Sequence, residues 1–315
     1  RWLDGTTADT VIRRFMTFEN ARTAAIGAWS HNMQTHGSPY AKPKSDPDPA
    51  LEVQWQKCVR FFDHHLRGLA DAAFEKPCLS YFTMAEERWK ETDVWPLPGT
   101  VMRRWYFAEG GALSEDPPGS GAGADTYEVD FEATTGTSNR WHTQDGVTPV
   151  VYRDRAPADQ LLLTYTSPPL AEDTEITGHA TVSLWVASTH EDVAFFAYLE
   201  DVDESGRVTY VTEGVLRAIH RKTSDARPPY PVLVPYHTYL REDAMPLVPG
   251  ETVEVSFGLQ PTSVLIAKGH RIRIAIAGAD KDTFARTPAE GAPTLTIERD
   301  AAHPSGVWLP VIERE

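Results

Sequence analysis

Residues 252–260, "TVEVSFGLQ", alternate apolar and polar side chains with a period of two. The apolar members of this stretch are Val253, Val255, Phe257 and Leu259. The same period recurs in "TVSLWVA" (181–187) and "HRIRIAIAG" (270–278). Alternation of this kind is typical of β-strands that bury one face. These stretches therefore predict that the C-terminal part of the chain is built from β-strands.

Further short apolar runs predict strands both before and between these three. They are "LSYFTMA" (79–85), "RRWYFAE" (103–109), "LLLTYTS" (161–167), "VAFFAYLEDV" (193–202), "VTYVTEGVLRAI" (208–219) and "PTLTIER" (293–299). Turns rich in Gly, Pro and Asp separate them, and a low-complexity loop occupies 114–125. Many short strands joined in this way predict an all-β sandwich over residues 73–315.

The first 72 residues predict an α/β arrangement. Apolar residues recur at helical spacing in 6–18 and again, more strongly, in 50–69, so we expect two helices there. The second apolar stripe includes Cys58, which we expect to be a small core residue, and Gly68 marks its end. Between the helices, 21–29 ("ARTAAIGAW") predicts a strand, and 37–49 predicts a Pro-rich loop.

Composition excludes several classes of partner. The formal net charge is −15 and the pI is near 5.2. Nucleic acids and anionic membranes both require a basic face, so neither is expected to bind. No apolar run approaches the roughly 20 residues that span a bilayer. The two cysteines, Cys58 and Cys78, form neither a disulfide framework nor a metal-ligand spacing, and reduced thiols favour a cytoplasmic protein.

Two short stretches end in titratable side chains. "WLDG" (2–5) presents Asp4 after an apolar pair, and "GAWSH" (27–31) presents His31 after an apolar run. Side chains at the carboxyl ends of neighbouring strands meet at one edge of an open α/β sheet. A carboxylate beside an imidazole orients the ring and stabilises its protonated form. We therefore expect Asp4 and His31 to lie about 2.6–3.2 Å apart as a catalytic acid and base.

The chain resembles the CocE/NonD family of serine hydrolases along essentially its whole length. The resemblance is carried by these two motifs and by "FFDHHLRG" (61–68), "ERWKETDVWPLP" (87–98) and "HPSGVWLPVI" (303–312), which follow in the same order. The resemblance implies that residues 1–72 are the C-terminal part of an α/β-hydrolase catalytic domain and that 73–315 form a jelly-roll domain. It implies Asp4 as catalytic acid, His31 as catalytic base, a small-molecule acyl substrate and no metal or cofactor. It also makes an oligomer possible.

The nucleophilic serine of such a triad precedes the acid along the chain, and only three residues precede Asp4. The serines in "GTSNR" (136–140) and "PPGSGAG" (117–123) lack the strand-turn-helix context, and Ser30 points away from its neighbour His31 if the chain is extended there. We therefore expect no nucleophile in this chain. The chain is interpreted as a fragment or a processed product, and the serine is expected on an N-terminal segment or a separate subunit.

Other residues could carry chemistry. Asp9 is a rival acid but falls within the first predicted helix, and the adjacent His64 and His65 would point apart on the second. Trp141, in "TSNRWHTQDG" (137–146), could line a substrate site by the family resemblance, and His142 is a weaker candidate. Two other functions stay open: a β-sandwich binding or assembly module without catalysis, and amide hydrolysis of the Xaa-Pro dipeptidyl-peptidase type.

Overall fold

A computed structural model describes residues 1–20, 23–121, 123–146, 148–226 and 228–313. The regular structure of these residues is mostly β-sheet, with two α-helices among the first 70 positions. The helices are α1 (Thr7–Thr17) and α2 (Leu51–Arg67). Within the described residues, no helix combines the length and the apolar character that are needed to cross a bilayer.

A small three-stranded sheet belongs to the first third of the chain. Its strands are β1 (Thr23–Ile26), β2 (Cys78–Thr83) and β3 (Arg88–Thr92). β1 pairs parallel with β2, and β2 pairs antiparallel with β3. Because α2 lies between β1 and β2 in sequence, these elements form one βαβ unit, the arrangement that a parallel pair requires.

The remaining strands form one branched sheet of thirteen strands. They are β4 (Thr100–Ala108), β5 (Ala112–Ser114), β6 (Ala124–Glu128), β7 (Leu163–Thr166), β8 (Thr174–Gly178), β9 (Thr181–Ser188), β10 (Ala194–Val202), β11 (Val208–Arg217), β12 (Val253–Gly258), β13 (Thr262–Ile266), β14 (Arg271–Ala277), β15 (Thr294–Glu298) and β16 (Gly306–Ile312). The main path runs β11-β10-β14-β7-β5-β4-β16-β9-β15-β6, with β12 on β9 and the β8–β13 pair on β16. β10 is buried at eight of its nine positions, so both of its faces are covered.

The small sheet is attached to the large one through β2. Met84, directly after β2, donates its N–H to the Ser263 carbonyl at 2.9 Å and accepts from Leu265 N–H at 3.0 Å. The hydroxyls of Thr83 and Ser263 lie 2.9 Å apart in the same buried region. The polypeptide that carries the first helices is therefore held to the large sheet by backbone and side-chain hydrogen bonds.

Both predicted helices are confirmed, and their burial differs. α1 buries Ala8, Ile12 and Phe15 and ends at Thr17, so Phe18, predicted on the same stripe, lies outside the helix and is 53% exposed. α2 ends at Gly68, whose φ of +70° allows the left-handed turn that stops the helix. No residue of α2 is buried. The prediction of Cys58 as a core residue is wrong, because the face of α2 that carries it is exposed.

The strand predicted over 21–29 is shorter in the structure. Two of its residues, 21 and 22, lie outside the described residues, and β1 covers only Thr23–Ile26. The strand expected at "WLDG" is not formed within the described residues, because only one backbone bond, from Trp2 N–H to the Gly27 carbonyl at 3.0 Å, joins this stretch to the segment that follows β1. A ladder needs consecutive bonds of this kind.

A buried ionic cluster links β10 to the segment before β7. The Glu200 carboxylate accepts from Arg155 Nε at 3.1 Å, and Arg273 contacts Asp159 at 2.8 Å. Burial raises the pKa of Glu200 to about 8; the charge of Arg155 opposes the shift, and the charge of Asp159 reinforces it. Glu200 therefore keeps a proton in the folded protein at pH values where the unfolded chain has released it.

We expect the free energy of unfolding to fall as pH rises from about 4.5 towards 8, by at most about 1.4 kcal/mol per pH unit from this group. The sign follows because the folded state then binds more protons than the unfolded state. Glu200→Gln carries no titrating proton and should flatten this pH dependence, whereas Glu251→Gln, an exposed control, should not. Denaturant titrations across this pH range test the prediction, and parallel curves for wild type and E200Q would contradict it.

Candidate active site

Asp4 is held by the packing of the residues before it. Trp2 and Leu3 are fully buried, and the indole N–H of Trp2 donates to the Phe82 carbonyl at 2.6 Å. Gly5 follows with a φ of +24°, and a Cβ there would meet the side chain of Gln144 at 2.3 Å. This turn places the carboxylate of Asp4 in the interior, with none of its surface exposed.

The predicted contact between Asp4 and His31 is present. His31 Nδ1 lies 3.1 Å from Asp4 Oδ1. Because a carboxylate only accepts hydrogen bonds, Nδ1 is the ring nitrogen that carries the proton in this contact. The side chain of His31 is 37% exposed while that of Asp4 is inaccessible. The imidazole is therefore oriented from the protein interior and open to solvent on its other side.

The second oxygen of Asp4 has its own donors. Thr7 Oγ1 donates to Oδ2 at 2.9 Å, and Arg1 Nε lies 3.2 Å from the same oxygen. Thr7 is the first residue of α1, so the start of that helix fixes the carboxylate plane. Both oxygens of this buried carboxylate are thus hydrogen bonded, as a buried charge requires.

The loop that follows His31 is tied to both sheets. His36 Nε2 lies 3.1 Å from Glu87, and the Ser38 hydroxyl donates to the same carboxylate at 2.6 Å. Burial opposes ionisation of Glu87, but these hydrogen bonds outweigh it and lower the pKa of its carboxyl. Tyr40 donates to Asp201 on β10 at 3.1 Å. These contacts restrict the backbone on the C-terminal side of His31.

A segment distant in sequence lies against the pair. The Arg140 carbonyl accepts from Gly5 N–H at 3.0 Å, and its buried guanidinium donates to the Trp2 carbonyl. The Thr143 hydroxyl accepts from the backbone N–H of His31 at 3.1 Å. Sequence reasoning did not select Arg140 or Thr143, since each contacts the site across more than 100 residues and neither belongs to a recognisable motif.

The other candidates lie apart from the pair. Asp9 binds His179 Nε2 at 2.9 Å and Arg13 at 2.8 Å. The Ser30 hydroxyl accepts from Thr35 and from Val150 N–H, at 2.8 and 3.2 Å. Among the described residues, no hydroxyl hydrogen bonds to Nε2 of His31. Asp9 is therefore engaged in a separate ion-pair cluster.

Trp141 lies beside these contacts but turns towards the large sheet. Its indole N–H donates to Glu213, and its ring meets Phe284 edge-on with centroids 5.4 Å apart. Burial raises the pKa of the Glu213 carboxyl. His142 Nε2 lies 3.1 Å from the Asp282 carbonyl. The assignment of Trp141 to substrate binding stays a prediction.

The adjacent histidines of α2 do not point apart as predicted, because their rings are in contact. The rings of His64 and His65 meet edge-on, with centroids 4.7 Å apart, and His64 Nδ1 lies 2.9 Å from the Leu69 carbonyl at the helix end. Across the part of the chain that the structure describes, no group of three or more His, Cys, Asp or Glu side chains is placed to hold a metal ion.

Comparisons with known proteins agree with this architecture. The family model described as the X-Pro dipeptidyl-peptidase C-terminal non-catalytic domain matches residues 72–307. A Mycobacterium bovis protein that carries a serine-esterase name is 46% identical over 317 residues, covering 99% of this chain and 49% of that protein. Cocaine esterase of a Rhodococcus species is 27% identical over 345 residues, covering 99% and 55%.

Among solved structures, an α-amino acid ester hydrolase superposes with a TM-score of 0.69 at 21% identity, covering 91% of this chain and 49% of that one. The chain spans about half the length of the curated relatives it matches. It belongs to the family of the X-Pro dipeptidyl-peptidase C-terminal non-catalytic domain.

Proposed function

We propose that this chain supplies the acid and the base of a Ser-His-Asp triad in a serine esterase that acts on small-molecule acyl esters. The contact of 3.1 Å between buried Asp4 and partly exposed His31 carries the proposal. A proton on Nδ1, held by the carboxylate, leaves Nε2 free to accept the proton of a serine hydroxyl. His31 is then the general base, and Asp4 stabilises the imidazolium that forms.

Hydrolysis would proceed in two steps. The serine oxygen attacks the ester carbonyl while its proton passes to Nε2, and the imidazolium returns that proton to the departing alkoxide to leave an acyl-enzyme. Water then attacks the acyl carbonyl with the same base, which releases the acid and restores the serine. Within this chain, His31 performs the proton transfers, and Asp4 orients the ring and stabilises the imidazolium.

The nucleophile is proposed to lie outside residues 1–315, on an N-terminal segment or a partner subunit. Three observations support this. The relatives are about twice as long as the chain; no described hydroxyl reaches Nε2 of His31; and, among the strands that the structure describes, β1 pairs with β2 alone, which leaves its second edge for further strands. Residues 1–72 would then complete an α/β-hydrolase domain, and 73–315 would be a jelly roll.

The exposed face of α2 supports the same proposal. Trp55, Val59, Phe62 and Leu66 are each more than half exposed on this helix. An apolar cleft of about 470 Å³ separates α2 from the small sheet, lined by Trp29, Phe61 and Trp89 among others. Helices of α/β proteins bury such a face against the sheet and its neighbouring helices. The proposed upstream segment would cover both surfaces.

A fluorophosphonate probe tests where the serine lies. We expect the complete enzyme, treated with the probe and digested, to carry the label on a serine upstream of residue 1, because only an activated serine reacts. Labelling should be lost in His31→Ala. A labelled serine within residues 1–315 would overturn the assignment of the nucleophile, and an active enzyme without any label would overturn the serine mechanism.

A further inference from the structure

The loop between β6 and β7 contributes a fully buried threonine to the candidate site. Thr143 has no exposed surface, and its Oγ1 accepts the backbone N–H of His31 at 3.1 Å. The two residues are 112 positions apart. Thr143 lies inside 72–307, the region whose family model is described as non-catalytic. Its hydroxyl contacts neither ring nitrogen of His31, so any influence on the imidazole acts through the backbone.

Thr143 is itself fixed by a buried asparagine. Asn139 Oδ1 accepts the N–H groups of Trp141 and His142 at 3.0 and 3.1 Å. Its Nδ2 donates to the hydroxyls of Thr135 and Thr283, at 2.8 and 2.7 Å. The Asn139 carbonyl accepts from Thr143 N–H at 3.2 Å. Asn139 therefore fixes, through its side chain and its backbone carbonyl, the short helical turn that contains Thr143.

The same segment also contacts the residues beside both members of the pair. Arg140 binds Gly5, next to Asp4, as described above, and the Gly146 carbonyl accepts from Asn32 Nδ2, next to His31, at 3.0 Å. A Cβ added to Gly146 would lie 3.9 Å from His31 Cδ2, so a methyl group at this position would be in van der Waals contact with the ring. The 139–146 segment thus forms hydrogen bonds with Gly5, beside Asp4, and with Asn32, beside His31.

We infer that Thr143 is a positioning residue for His31, so that the β-rich region 72–307 sets the geometry of the base rather than serving only as a structural appendage. The inference rests on the proposed function of His31. The contact between the His31 N–H and Thr143 is part-buried, and an N–H that loses its acceptor in such surroundings is destabilising, so the backbone at His31 would move to find another acceptor. Displacement of a reacting group by about 1 Å can cost 10²-fold in rate.

Thr143→Val keeps the shape of the side chain and removes the hydroxyl. In the complete enzyme we expect kcat to fall roughly 10- to 100-fold while KM changes less than about twofold, since the contacts that bind the acyl group are untouched. Thr143→Ser restores the acceptor and should recover most of the lost turnover. The His31 amide should exchange its hydrogen faster in T143V than in wild type or T143S.

Thr177→Val is the matched control. Thr177 is buried on β8, with its hydroxyl bonded to Glu175 and Ser263 at 3.0 and 2.8 Å, so T177V loses a buried hydroxyl away from His31 and should keep its kcat. An equal loss of kcat in T177V, or T143V with unchanged kcat and unchanged His31 exchange, would overturn the inference. A failure of the proposed function is told apart from a failure of this inference by His31→Ala. If His31 is not the base, His31→Ala retains turnover, whatever the result for T143V.

Discussion

His31→Ala is expected to lower turnover of the complete enzyme by roughly 10³- to 10⁶-fold while leaving the fold intact. Alanine removes the group that accepts the serine proton, whereas substrate binding and stabilisation of the oxyanion do not depend on the imidazole. Because the ring is 37% exposed, its loss opens no sealed cavity, and folding should tolerate it. Steady-state hydrolysis of a chromogenic ester, with circular dichroism as the check on folding, measures the effect.

His303 supplies a closely matched control for this substitution. Its side chain is 39% exposed, and its Nδ1 lies 3.4 Å from Asp300, so exposure and carboxylate pairing resemble those of His31. His303 lies just before β16 and contacts Trp185. We expect His303→Ala to keep its turnover within about twofold. Near-normal turnover in H31A would remove His31 from the mechanism, and an equal loss in both variants would assign the effect to folding.

The sheet was largely predictable because burial of one face leaves a period of two in the sequence. β9, β12 and β14 follow from that period, and β10 follows from a continuous apolar run that both faces bury. β8 and β13 were not predicted. Each has only five residues, many of them Thr, Ser or Gly, and they pair mainly with one another. Such strands are stabilised by tertiary context more than by their own pattern.

The acid and the base of the candidate site were predictable from the sequence, but the residues that hold them in place were not. The residues just before Asp4 and His31 predicted that the two side chains meet. The prediction is correct although, in the described part of the chain, the segment before Asp4 makes only one backbone hydrogen bond to the segment after β1 and is not a strand. Thr143 carries no local signal, because an ordinary threonine gains its role only from a contact across the fold. α2 shows the converse: its stripe predicts an apolar face, but a pattern does not state what covers that face.

Asp4→Asn is expected to lower turnover by about 10⁴-fold, although the side chain keeps its size. The reason lies in the orientation of the new amide. Thr7 and Arg1 both donate to Oδ2 of Asp4, so the oxygen of the substituted amide would face these donors and its NH₂ group would face His31. Nδ1 would then have to accept, the ring proton would move to Nε2, and the imidazole could no longer take the serine proton. Ester hydrolysis by the complete enzyme measures this loss.

Asp9→Asn is the control that separates this tautomer effect from a general loss of negative charge near α1. Asp9 also pairs with a histidine, His179, at 2.9 Å, and with Arg13 on its own helix. Removing its charge should weaken the contact between α1 and the large sheet but leave the Asp4–His31 pair unaltered. We therefore expect Asp9→Asn to retain turnover within a few-fold. If instead it loses as much activity as Asp4→Asn, the acid has been assigned to the wrong carboxylate.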